Sequence, residues 1–186
     1  NKRYQPDEGY RNTFYQELPL IADSSEIVNQ FQTTKFNKFS NVLTKIGFYV
    51  KAVNSISNED VRVSKRLYIP ESKLRGFEKG KVGPIDKSND FVGGNYVSTV
   101  NFNAAFPNIL PAFQNTDVSF FMDAANIWGV DYDSSIDKNN KIRSSAGLAV
   151  DFFTPVGPLN FSLSQPITKN SSDVTESFRF NLGTTF

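Results

Sequence analysis

The chain has 186 residues with 20 basic and 19 acidic side chains, so its charge balance points to no polyanionic partner, nucleic acid included. It holds no Cys and no His, which excludes thiol chemistry and His-based triads and removes the usual ligands of zinc. Eighteen Phe and seven Tyr in a chain that is polar on average suit a transmembrane barrel, where each strand turns one row of side chains to lipid and the other to water.

The first residues, Asn1-Lys2-Arg3-Tyr4, carry neither an initiator Met nor a signal peptide and read as a cut or processed end. No apolar run of about 18 residues exists, so no helix spans a membrane. Strand patterning begins at 10–21, with Phe14, Leu18 and Leu20 opposite Thr13, Tyr15 and Glu17. A Gln- and Thr-rich strand follows at 27–38. In 42–53, Val42, Ile46, Phe48, Val50 and Ala52 share one face and Lys45, Gly47, Tyr49 and Lys51 the other. Residues 54–90 read as a long irregular loop, punctuated by Pro70, Gly76, Gly80, Gly83 and Pro84.

Alternation resumes at 92–106, with Val100, Phe102, Ala104 and Phe106 opposite Thr99, Asn101 and Asn103. In 116–127, Val118, Phe120 and Met122 oppose Ser119, Phe121 and Asp123. Strands at 142–153 and 159–165 flank the Pro/Gly turn 154–158. The tail, 177–186, sets Phe178, Phe180, Leu182 and Phe186 against Arg179, Asn181, Gly183 and Thr185. About eight antiparallel strands result. Their connections alternate between short (37–41, 107–115, 155–158) and mostly longer, more polar (54–90, 128–141, 166–174). That inequality is the habit of an outer-membrane barrel, with short periplasmic turns and longer extracellular loops. The fold class expected is all-β, an antiparallel transmembrane β-barrel.

Chemical motifs are few. Asp131, Asp133 and Asp137 hint at calcium, but an EF-hand counted from Asp131 puts Ile136 and Ile142 where Gly and Glu are required. Asp123 and Asp151 sit on different strands with nothing to set a glycosidase spacing. Gly93-Gly94 lacks the Lys and following helix of a phosphate loop. No catalytic residue, metal site or cofactor is expected. Leu74-Arg75-Gly76-Phe77, inside the longest loop, is more specific. Arg offers five donors in a planar fork and stacks on aromatics. Two readings stand: the loop dips into the lumen and Arg75 meets Asp123, or Arg75 is an exposed loop arginine.

At these residues the chain resembles the outer-membrane insertase (bacterial surface antigen) superfamily. Leu74-Arg75-Gly76-Phe77 is similar to the VRGF/Y motif of that family's sixth extracellular loop. The resemblance continues in order through Phe91-Val92-Gly93-Gly94-Asn95, Ser119-Phe120-Phe121-Met122-Asp123 and Ile142-Arg143-Ser144-Ser145-Ala146-Gly147-Leu148. It runs on through Thr154-Pro155-Val156-Gly157-Pro158-Leu159 and Ser164-Gln165-Pro166. Upstream, Gln5-Pro6-Asp7-Glu8-Gly9-Tyr10-Arg11 resembles the periplasmic turn opening the second half of the barrel. Phe178, Phe180, Leu182, Gly183 and Phe186 are similar to the terminal seam strand with its β-signal.

The resemblance implies about the last eight strands of a 16-stranded barrel, with an inward-folding loop at 54–90 and without the family's periplasmic POTRA domains. It implies that Arg75 pairs with Asp123 on the lumen wall. A second acidic position of the family falls at Asn103, so a neutral side chain completes the lock. The implied role is a non-enzymatic one: folding and inserting β-barrel proteins into the outer membrane of a Gram-negative bacterium, through a lateral seam at the last strand. Implied partners are outer-membrane lipids, unfolded client barrels, accessory assembly lipoproteins and periplasmic chaperones. The alternatives are a TamA-like or two-partner secretion pore, and a passive porin-like barrel. An open, curved half-barrel is expected rather than a small closed one, because side chains alone fill a barrel of eight strands.

Overall fold

A computed structural model of the chain describes residues 6–19, 25–57, 59–107, 109, 116–136, 140–154 and 157–182. Eight strands form one antiparallel sheet in chain order: β1 (Gly9–Glu17), β2 (Glu26–Phe39), β3 (Val42–Ser55), β4 (Tyr96–Pro107), β5 (Thr116–Trp128), β6 (Arg143–Thr154), β7 (Gly157–Thr168) and β8 (Phe178–Leu182). Each strand pairs only with its chain neighbours. Phe14 lies opposite Phe31, and Phe180 opposite Phe161. Within the described residues β1 and β8 are therefore the two edges of an open sheet, as expected.

Two strands depart most from their sequence pattern. β7 runs on to Thr168 through Pro166, where the β6 register shifts between Ser144 and Ser145. Proline has no N–H for the ladder, and a bulge is where a strand tolerates it. β4 starts later than its pattern, because 91–95 belong to the loop: Leu67 bridges Gly94, and Ile85 bridges Phe91.

From β2 to β8 the faces divide as alternation predicts, whereas every residue of the edge strand β1 is exposed. Phe31, Ile46, Phe48, Val100, Phe120, Met122, Leu148, Leu163, Phe178, Phe180 and Leu182 stand exposed on one face. An apolar surface of this extent is unfavourable in water and at home in hydrocarbon. The opposite rows, including Thr99, Asn101, Ser119, Asp123, Asn160, Ser162 and Arg179, are buried. Arg11 on β1 and Asn160 on β7 line a single cavity of about 440 Å³. On a flat sheet six strand spacings would hold them about 29 Å apart, so the sheet curls and the buried face is its hollow side.

The connection between β3 and β4 fills the upper part of that hollow. It carries two single 3₁₀ turns, Val63–Lys65 and Glu71–Lys73. Its Val61, Leu67, Ile69, Leu74, Phe77 and Val82 pack in one cluster with wall residues Val28, Tyr49, Val53, Val97, Ala125 and Ile127. A loop with this many apolar anchors is bound by the same burial that holds a soluble core.

Candidate functional site: a loop locked to the barrel wall

Arg75 is brought to the wall by the turn Glu71–Lys73, and Asp123 by the inward row of β5. The guanidinium donates twice to the carboxylate, Nε to Oδ2 at 2.7 Å and Nη2 to Oδ1 at 2.9 Å. The Arg75 backbone N–H adds a third bond to Oδ2 at 3.1 Å. Both side chains are almost fully shielded, 4% and 0% exposed. The guanidinium carbon sits 3.5 Å from the centroid of the Phe121 ring, so the cation is stacked on one face and forked to carboxylate at its edge. The Arg75 carbonyl accepts from Ser145 Oγ at 2.5 Å. Strands β5 and β6 thus hold one loop residue through both its side chain and its backbone.

The glycines here have steric reasons. Gly76 adopts φ +87°, and a Cβ on it would lie 3.1 Å from Cβ of Ser145 and 3.2 Å from that of Ser164. On β6, a Cβ at Gly147 would come within 2.1 Å of the Leu163 carbonyl oxygen and 2.6 Å of Phe121. Gly147 makes the space that lets Phe121 lie under Arg75. Leu74 and Phe77 flank the motif, both buried in the loop–wall cluster.

The expectation for Asn103 is corrected. Asp123 lies directly opposite Asn101, while Asn103 lies opposite Phe121. Asn101 Nδ2 accordingly donates to Asp123 Oδ1 and to the Lys73 carbonyl, both at 2.8 Å. Asn103 Nδ2 instead donates to Ser119 Oγ at 3.2 Å and lines the cavity below the lock. Register, one pleat higher, decides which amide reaches the carboxylate. Of the seam residues, Phe178, Phe180 and Leu182 lie on the outer face of β8; Gly183 and Phe186 lie outside the described residues.

Further arginine clamps surround the loop. Arg143 forks onto Asp173 at 3.0 and 3.1 Å, and both side chains are buried. Arg66 pairs with Asp131, donates to the Val61 carbonyl at 3.0 Å and stacks on Tyr132. Burial raises the Asp131 carboxyl, but hydrogen bonds from Val61 N–H, Asn95 and Arg66 outweigh it and hold the group below its ordinary value. Asp131 is thereby an arginine partner rather than the first ligand of a calcium loop. Arg62 reaches Glu26 on β2 at 3.2 Å. Arg179 on β8 donates to Glu176 and to the carbonyls of Glu71 and Phe77. Parity had turned Arg179 inward, and an inward arginine must find acceptors. Which acceptors it finds depends on the fold of distant loops.

The sheet, its lipid-type outer belt and the seated arginine loop define an outer-membrane β-barrel. The chain belongs to the Omp85 superfamily, whose domain profile matches residues 1–186; its place is the outer membrane of a Gram-negative bacterium. It is 31% identical over 141 residues to the outer membrane protein assembly factor BamA of Neisseria meningitidis, covering 61% of this chain and 17% of that protein. It is 29% identical over 133 residues to the protein of the same name from Nitratidesulfovibrio vulgaris, covering 68% and 16%. The chain thus spans less than a fifth of these curated relatives. The crystal structure of BamA from Haemophilus ducreyi lacking POTRA domains 1–3 shares its fold, with a TM-score of 0.83 at 23% identity over 97% of this chain and 39% of that one.

Proposed function

We propose that the chain is the C-terminal part of a barrel that folds and inserts other β-barrel proteins into the outer membrane, without making or breaking a covalent bond. The observation that carries this reading is the seated loop, whose Arg75 is forked onto Asp123 inside the hollow. The seam falls at β8, which pairs with β7 over five positions among the described residues. Its outer row, Phe178, Phe180 and Leu182, is exposed. An open strand edge templates another strand by main-chain hydrogen bonding. In hydrocarbon an unpaired edge group costs several kcal/mol, so a seam strand that releases its neighbour favours a new partner strand. An unfolded client barrel supplies one. Accessory lipoproteins and periplasmic chaperones would deliver it, and the lipids around the seam complete the list of partners. The relatives named assembly factors support the same role.

A passive porin expects an open lumen. Here loop residues from Val61 to Val82 are buried against the wall, which favours the assembly reading. The test is site-specific photocrosslinking in the intact protein, with the probe at Asn181 or Leu182 and a radiolabelled client barrel arrested during assembly. A client adduct at β8, absent when the probe sits at Phe120 on β5, is the expected result. No adduct at β8 with a client otherwise engaged would overturn the seam.

A further inference from the structure

Arg179 is the inward arginine of the seam strand, and its three guanidinium nitrogens all have partners. Nε donates to Glu176 at 2.8 Å, Nη1 to the Glu71 carbonyl at 3.0 Å and Nη2 to the Phe77 carbonyl at 2.5 Å. Those two carbonyls bracket the lock: Glu71 opens the turn that presents Arg75, and Phe77 closes the motif. The side chain is 8% exposed. Beside it, the chain leading into β8 pairs with the loop through its backbone. Glu176 N–H donates to the Gly76 carbonyl at 3.1 Å, Glu78 N–H to Val174 at 2.9 Å and Val174 N–H to Lys81 at 3.0 Å. Phe77 and Thr175 form an antiparallel bridge.

We propose that Arg179 is a positioning residue that tethers the seam strand to the seated loop, so that the loop's docking on Asp123 sets how readily β8 moves. Charge-assisted bonds to two carbonyls are available only while residues 71–77 hold their locked path. When the loop shifts, Arg179 loses both carbonyls and keeps Glu176 alone, and a buried cation short of acceptors is disfavoured. The strand must then move with the loop or turn its arginine out. On the lipid side β8 is held differently: the Phe161 ring packs against Phe180 at 5.0 Å and Phe178 at 6.4 Å, and against Phe152 at 5.7 Å. Those ring contacts lie between neighbouring strands and sense nothing of the loop. The tether is the side-chain route by which the lumen side of β8 reads the lock.

The functional consequence rests on the seam reading given above; the coupling itself does not. Hydrogen–deuterium exchange on the intact protein in lipid nanodiscs tests it. Arg179→Gln should speed exchange about tenfold or more in both 71–78 and 177–182, with 42–53 unchanged. Arg179→Lys, which keeps the charge but not the fork, should recover part of that protection. Arg75→Gln should speed exchange in 177–182 and, added to Arg179→Gln, should change it by less than about twofold more, because both act on one coupled unit. Faster exchange confined to 177–182, a uniform rise across the sheet, or additive effects would overturn the tether. If Arg179→Gln does not fold, Arg179→Lys gives the same comparison with smaller increments. Insertion of a client barrel into liposomes is read in parallel. Coupled exchange with unchanged insertion keeps the tether and refutes the seam; uncoupled exchange refutes the tether whatever insertion does.

Discussion

The hollow face of the sheet has two halves built from the same strands with opposite chemistry. Toward the long loops, inward positions are Val28, Val53, Val97 and Ile127, and the loop's own Leu74 and Phe77 cover them. Toward the short turns, inward positions on the same strands are Thr34, Lys45, Asn103 and Asp117, and they line an open cavity of about 440 Å³. The lock of Arg75 and Asp123 lies where the two meet. A strand's inward row is therefore not simply polar. It turns apolar where protein covers it and stays polar where water fills the lumen, and the ion pair sits at the boundary because only there are both a dry ring and polar partners within reach.

Four measurements can break or sharpen that contrast. The largest effect belongs to the boundary. Arg75→Ala and Asp123→Ala should each destabilise the intact protein by about 3–5 kcal/mol in urea unfolding, since either leaves a buried charge unmatched. The double mutant should cost little more than either alone; a coupling energy below about 0.5 kcal/mol would show that the two side chains act independently. In the dry half, Leu74→Ala should cost about 2–5 kcal/mol by the same method, as a large-to-small change in a packed core. A loss near zero would mean that the loop rests on the wall without packing into it.

The third measurement concerns the rim above the dry half. The Asp131 carboxyl is held below its ordinary value. Its contribution to folding is therefore complete above the usual carboxylate range and disappears as pH falls through the lowered folded value, below about pH 4. Trp128, the one Trp of the chain, stacks on Tyr96 close by and should report the loosening as an emission shift. Asp131→Asn should remove the acid-dependent part of that shift; an unchanged acid limb in the variant would assign it to another carboxylate. The smallest effect is expected in the wet half, where Asn103→Ala should cost less than about 1 kcal/mol, the worth of one hydrogen bond beside water. A cost matching that of Asp123→Ala would return Asn103 to the lock.

The residues by themselves determined the class of fold, the position of nearly every strand and which face each strand turns to lipid. Period 2 is enforced by backbone geometry, and the pleat leaves no freedom once one face is apolar. The lumen-facing Asp123 was legible for the same reason, from parity, whereas the Leu74–Phe77 motif lies in a loop and was legible through its resemblance to the family's motif. Parity also turned Arg179 inward, but not toward Glu71 and Phe77, which lie more than a hundred residues away in the chain. Nor could it choose Asn101 over Asn103, since both share a face and only the pairing of β4 with β5 puts Asn101 opposite the carboxylate. The clamps Arg143–Asp173 and Arg66–Asp131 were hidden in the same way. Strand periodicity is a local property of the backbone. Which charged groups meet is set by register between strands and by the path of a loop through the hollow, and those exist only once the whole sheet has curled around it.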